Sequence, residues 1–171
     1  RATAEGRGAE AESRVDYLAD MLGLTKSAVI RNINMMRQEG LLADNRDMQA
    51  WVTRSTSIRN LDMMLHLEQF MLNKMGSETR RFNYKALNEE AINEGISYSN
   101  VRRLKMLLHF LTLKGYIYKQ EHGAIDCVSV RFQSASTTTM DRFNNRADIC
   151  TFIINTLSSL RDARKDATLV N

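Results

Sequence analysis

Residues 87–117 read LNEEAINEGISYSNVRRLKMLLHFLTLKGYI, and residues 15–42 read VDYLADMLGLTKSAVIRNINMMRQEGLL. The two stretches carry the same punctuation. In the later one, Leu87 and Ala91 precede Gly95-Ile96-Ser97, and Val101, Leu104, Leu108 and Leu111 precede Gly115-Tyr116-Ile117. In the earlier one, Val15, Leu18, Ala19 and Leu22 precede Gly23-Leu24-Thr25, and Val29, Ile33 and Met36 precede Gly40-Leu41-Leu42. Apolar residues three and four apart mark helices, and glycine marks their ends. Each stretch therefore predicts a short helix, a glycine turn, a longer amphipathic helix, a second glycine and an apolar strand. Val29 matches Val101 at an offset of 72 residues, and the second long helix should run about one turn further before its glycine.

A helix-turn-helix followed by a β-hairpin is a winged helix, a shape that lays its second helix along a nucleic acid. The expected fold is mainly α with small β-hairpins (α+β): two tandem winged-helix domains plus a C-terminal helix. The expected boundaries are 1–13 as a disordered linker, 14–54 and 61–132 as the two domains, and 140–165 as the last helix. Thr25 and Ser97 are expected to cap the two long helices and Asn83 the helix that follows it, through side-chain oxygens that accept first-turn N–H groups. Leu41-Leu42 and Met48–Val52 should form the first wing around Asp44-Asn45-Arg46-Asp47. Tyr116–Gln120 and Ile125–Phe132 should form the second, around Glu121-His122-Gly123-Ala124. A helix is expected from Leu61 to Met75. The stripe Phe143, Ala147, Cys150, Ile154, Leu157 in the last helix needs a partner surface, either the second domain or a segment outside the chain.

Composition agrees with this frame. The 171 residues are 43% apolar, with eight glycines and no proline, as a helical chain with short loops requires. No apolar run approaches the roughly 20 residues of a bilayer span, and no signal peptide is visible. Two distant cysteines, Cys127 and Cys150, suit a reducing compartment, so a cytoplasmic location is expected. Arg1 in place of methionine points to a piece of a longer protein.

The net charge is +4, and its distribution matters more than its size. Residues 61–94 hold more acids than bases. From Gly95 to Arg131, Arg102, Arg103, Lys105, Lys114, Lys119 and Arg131 face only Glu121 and Asp126. Positive charge thus collects on the second long helix and hairpin, the surfaces that would meet a phosphate backbone.

The candidate nucleic-acid contacts follow from that pattern. Ser97, Tyr98, Ser99 and Asn100 open the second long helix, and Arg102, Arg103 and Lys105 follow; hydroxyl, amide and guanidinium groups at a helix N-terminus suit phosphates and base edges. Lys26, Ser27 and Arg31 hold the matching positions in the first copy. Arg80 and Arg81 precede Phe82 and Tyr84 in a mix of bases and aromatics that can grip phosphates and stack on bases, although at least one ring is expected in the core. Lys119 and His122 belong to the second wing. At each position the plain alternative is a solvated polar face.

Catalytic signals are missing. His66, His109 and His122 are scattered, the cysteines lack zinc spacing, and no phosphate-binding glycine loop or nucleophile-elbow serine occurs. Glu89 and Glu90 are adjacent on one helix and so point to different faces. The methionines fit core filling at helical spacing. No catalysis, metal or cofactor is expected of this segment.

Leu22-Gly23-Leu24, then Arg37-Gln38-Glu39-Gly40-Leu41-Leu42-Ala43-Asp44 with Asp47-Met48, and later Phe152-Ile153-Ile154, resemble the region after the motor in long bacterial RecQ-like ATP-dependent DNA helicases. The resemblance covers most of 14–160. It implies a winged helix that binds duplex near the unwinding junction and a hairpin that can act as a wedge, with His122 at the tip. It also implies a helicase motor elsewhere in the parent chain, because no ATP-binding motif, motor or cysteine-rich zinc module lies in this sequence. Two other classes stay open: a protein-binding tandem winged-helix subunit of a chromosome-condensing complex, and a sequence-specific transcription regulator or replication initiator.

Overall fold

Four helix ends are built the same way, and they set the architecture. Gly23, Gly40, Gly95 and Gly115 have φ of 65, 78, 89 and 74°, the left-handed region that costs a side-chain-bearing residue about 1–2 kcal/mol. In each case the next residue reaches back to a carbonyl five residues earlier. Leu24 N–H donates to Ala19 O, Leu41 to Met36, Ile96 to Ala91 and Tyr116 to Leu111, at 2.8–3.0 Å. This is the Schellman closure, which pairs otherwise orphaned carbonyls and turns an apolar residue inward. Leu41, Ile96 and Tyr116 are accordingly buried.

The computed structural model describes residues 14–43, 52, 58–119 and 129–170. Helix α1 spans 14–22. It is followed by α2 (Lys26–Gln38), α3 (Ile58–Asn73), β1 (Arg80–Asn83), α4 (Tyr84–Asn93), α5 (Val101–Leu113), β2 (Ile117–Lys119), β3 (Ser129–Ser134) and α6 (Thr139–Val170). The protein is mostly helical with one small antiparallel sheet, an α+β architecture. No described helix is long and apolar enough to cross a membrane. The chain divides into two compact units, Arg1–Leu61 with Asp148–Asn171, and Asp62–Ala147. The last helix therefore does not stand apart: it supplies Phe143 to the second unit, and Ile149, Cys150, Ile153, Ile154 and Leu157 to the first.

In the first unit, α1 buries Val15, Leu18 and Ala19, and α2 buries Val29, Ile33 and Met36. Thr25 caps α2 as expected, its Oγ1 accepting from Ala28 N–H at 3.1 Å. The strand expected at Leu41-Leu42 is absent. Both residues lie in a bend with their side chains buried, because the Schellman closure commits the chain to turn inward where a strand would have to run on. The rest of the first wing lies outside the described residues except Val52, which is buried.

In the second unit, α3 begins and ends earlier than the expected 61–75. It buries Leu67, Phe70 and Met71, while α5 presents Leu104, Leu107, Leu108 and Leu111 on one stripe. Asn83 caps α4, accepting from Ala86 N–H at 3.0 Å. The sheet order is β1-β3-β2, with both pairs antiparallel. Strand β1 was not anticipated: Arg80-Arg81-Phe82-Asn83 reads as a polar approach to a helix, yet Phe82 stacks on Phe132 with ring centroids 4.5 Å apart. Tyr84 is buried too, so both aromatics serve the fold. Of the second hairpin, β2 begins one residue after the expected start and β3 runs two residues past the expected end at Phe132, and residues 120–128 lie outside the described residues.

A buried ion pair ties α5 to α3. Lys114 Nζ stands 3.2 Å from Glu68 Oε1, with side chains 4% and 2% exposed. Desolvation offsets most of the attraction in such a pair, but removing one partner strands the other charge. The α5 end is closed further from α6. The Arg142 guanidinium donates to Gly115 O and Lys114 O at 3.1 and 3.2 Å and lies over the Tyr116 ring. Burial holds the Tyr116 hydroxyl above its ordinary pKa, against the opposing pull of Arg146 and Lys114.

Candidate nucleic-acid interface

In the first unit the outer face of α2 follows from its inner one. With Val29, Ile33 and Met36 inside, Lys26, Ser27, Ile30, Arg31 and Asn34 are exposed. Lys26 Nζ reaches Asp16 Oδ1 on α1 at 2.7 Å, with both side chains about half exposed. A pair this wet adds little stability, and its lysine can exchange the carboxylate for another anion. Ser27 and Arg31 sit one turn apart on the same face. The three candidate residues of this copy are thus brought together on one surface.

The second copy is arranged differently. Ser97 does not cap the long helix. It lies in a turn, and the cap is Asn100, whose side chain accepts from Arg103 N–H at 2.8 Å. The expected extra turn of helix is likewise absent: α2 and α5 both have 13 residues. The second helix instead starts three residues later, since Gly23 stands three residues before Lys26 and Gly95 stands six before Val101. Part of the connection left outside the helix folds inward. Ser99 is 6% exposed and donates its hydroxyl to Asn88 Oδ1 at 2.7 Å, which removes it from the set of surface contacts. The Arg103 guanidinium lies 4.0 Å over the Tyr98 ring and donates to Tyr98 O at 2.6 Å. Lys105 Nζ lies 5.2 Å from the buried Tyr84 ring.

What α5 offers to solvent is therefore Arg102, Met106, His109 and Leu113, with Ser97 and Asn100 at its start. Met106 and Leu113 are 46% and 53% exposed, so this face is as apolar as it is cationic. Lys114, counted among the surface bases from sequence, is inside.

The sheet carries the remaining candidates. Its burial alternates: Ile117, Val130 and Phe132 face the core, whereas Tyr118, Arg131 and Arg81 face out. Arg81 lies directly opposite Arg131, and Tyr118 opposite Gln133. The Arg81 guanidinium donates to Ser129 Oγ at 2.8 Å, and Thr79 Oγ1 donates to Gln133 at 2.6 Å. Arg80 and Lys119 are exposed on the two outer strands, each opposite Phe132. His122 lies outside the described residues. Sequence reasoning counted Arg131 only as charge and missed Tyr118; the alternation Ile117-in, Tyr118-out was the available signal. Comparison with known proteins returns no match, whether to family models, to curated proteins or to solved structures.

Proposed function

We propose that this chain is a non-catalytic, DNA-binding accessory module built from tandem winged-helix domains. The observation that carries the reading is the element order of the second unit, helix–strand–helix–helix–strand–strand, with the three strands in antiparallel order β1-β3-β2. The repeat of its helix-turn-helix in α1–α2, with the same glycine closures, supports a second copy. In this reading Lys26, Ser27 and Arg31 on α2, and Arg102 with Lys119, Arg80 and Arg81 in the second unit, meet phosphates. Arg103 and Ser99 hold the turn that presents them. The resemblance to the post-motor region of RecQ-like DNA helicases supplies the larger role, a module that grips duplex or junction DNA for a motor in the parent chain.

The test is anisotropy of a labelled duplex and a labelled fork across a salt series. Phosphate contacts make log K fall linearly with log salt, by about 0.9 per contact. Lys26→Ala with Arg31→Ala should flatten that slope by nearly two units and weaken both substrates alike. Preference for the fork supports the helicase role. Absence of salt-dependent binding to either removes the DNA reading.

One observation favours a second reading. Met106 and Leu113 are exposed on the outer face of α5, where a groove-reading helix would carry polar groups. A protein-binding role, as in a subunit of a chromosome-condensing complex, would use that apolar stripe.

A further inference from the structure

Helix α6 has two working faces inside the first unit. One packs Ile149, Ile153, Ile154 and Leu157 into the core. Along the other, Asp148, Phe152, Asn155 and Ser159 recur four and three residues apart, and with Leu160 they line a cleft of about 890 Å³. Arg14 and Tyr17 of α1 add to its lining, so the cleft belongs to one unit. Its volume falls in the range of about 300–1,000 Å³ common to small-molecule sites. A face made only for water would carry polar groups throughout, yet Phe152 and Leu160 interrupt this one, and the Tyr17 ring is 51% exposed. The cleft also holds a stranded cation. Arg14 Nη1 is buried with no hydrogen-bond partner among the described residues, although Asp148 lines the same cleft. A guanidinium has five donors and cannot shed its charge, and an unmade hydrogen bond on a buried charged group is costly. Native structures seldom leave such a donor unmet, so it marks a missing acceptor.

We propose that this cleft binds a small-molecule monocarboxylate with a flat aromatic body, its carboxylate on the Arg14 guanidinium and its ring against Tyr17 and Phe152. The guanidinium fork matches two carboxylate oxygens. Arg14 is only partly buried, so the fork can turn toward the cleft to meet them. Asp148 sets the charge of the ligand: a second negative charge would face that carboxylate, which disfavours a phosphate dianion where a carboxylate is accepted. Thr151, Asn155, Thr156 and Ser159 decide its shape. They place a hydroxyl or amide at successive turns of α6, so a long alkyl chain would desolvate one at each turn. A compact ring spans a turn or two and leaves those groups for its polar substituents. The inference is independent of the DNA-binding reading, and either can fail without the other.

The experiment is isothermal titration of the full chain with naphthoate, neutral naphthamide and naphthyl phosphate. Naphthoate should bind about tenfold or more tightly than naphthamide, the worth of a hydrogen bond to a charged group, and more tightly than naphthyl phosphate. Arg14→Gln should bring naphthoate down to the affinity of naphthamide and leave naphthamide unchanged, which also shows the cleft intact. Arg14→Lys, which keeps the charge without the fork, should retain part of the preference. Phe152→Ala should weaken both ligands by roughly threefold to tenfold, and Asp148→Asn should tighten naphthyl phosphate. Naphthoate affinity indifferent to Arg14→Gln overturns the proposal, since the cleft would then be an apolar groove without an anion site. Loss of naphthamide together with naphthoate in Arg14→Gln overturns it too, because Arg14 would then only frame the cleft. Tighter binding of naphthyl phosphate than of naphthoate, or binding of none of the three, does the same. Duplex binding, measured apart, bears on the DNA reading alone.

Discussion

The two helix-turn-helix copies share every apolar and glycine landmark yet handle their polar residues in opposite ways. Both second helices have 13 residues, and all four helix ends close through the same glycine geometry. In the first copy a three-residue connection leads directly to the Thr25 cap, and Lys26, Ser27 and Arg31 remain on the surface. In the second, the connection is three residues longer. It uses that length to bury Ser99, to lay Tyr98 against Arg103, and to move the cap to Asn100. Apolar spacing thus transmits a scaffold, while the point at which the second helix starts decides whether its polar side chains serve a partner or the fold.

The largest expected effect lies at the ends of the second helices. The residue that caps α2 at its C-terminus, Glu39, is partly exposed, whereas Lys114 at the same place on α5 is buried against Glu68. Glu68→Ala should destabilise the second unit by about 3–5 kcal/mol, because it leaves an ammonium in a dry site. Lys114→Met combined with Glu68→Leu should restore most of that loss, since two apolar groups have no charge to desolvate. Urea denaturation of the three proteins reads this directly. If Glu68→Ala proved nearly neutral, Lys114 would be reaching water, and the two helix ends would be alike.

A middle-sized effect separates the two connections. Ser99→Ala leaves Asn88 Oδ1 without the hydroxyl it accepts from, a loss of about 1–3 kcal/mol for a part-buried acceptor. Thr25→Ala removes a cap whose hydrogen bond is exposed, at about 1 kcal/mol. The same denaturation curves rank them. Equal losses would mean that the longer connection is no better ordered than the short one.

These contrasts mark how far the chain could be read in advance. The helices at Leu87–Ala91 and Val101–Leu111 were visible because their periodicity and glycine ends agree, and Thr25 and Asn83 were recognisable caps because each stands just before a periodic run. Ser97 failed as a cap because Ser97, Ser99 and Asn100 all have capping chemistry just before Val101, and sequence spacing alone does not select Asn100 among them. Strand β1 was hidden in Arg80-Arg81-Phe82-Asn83, where a single apolar residue gives no alternation to detect. Its partner Phe132 lies 50 residues further along the chain. The helical arginines could be found from sequence, but their engagement could not. Arg102 and Arg103 are neighbours of identical chemistry, and they differ only because α5 turns one of them towards Tyr98.

That last difference yields the smallest and most discriminating prediction. Arg103→Ala should cost about 0.5–1 kcal/mol of stability, the worth of a partly exposed cation–π contact, and should leave the duplex salt slope unchanged. Arg31→Ala, at an exposed position of the first copy, should do the reverse: little change in stability, and a slope shallower by nearly one unit. The pair of measurements separates a positioning arginine from a phosphate-binding one without any assumption about which DNA is preferred. If Arg103→Ala flattened the slope as much as Arg31→Ala, the guanidinium would be leaving Tyr98 for a phosphate on binding. The inward fold of the second connection would then be a resting arrangement of the free protein, and the two copies would converge once DNA is bound.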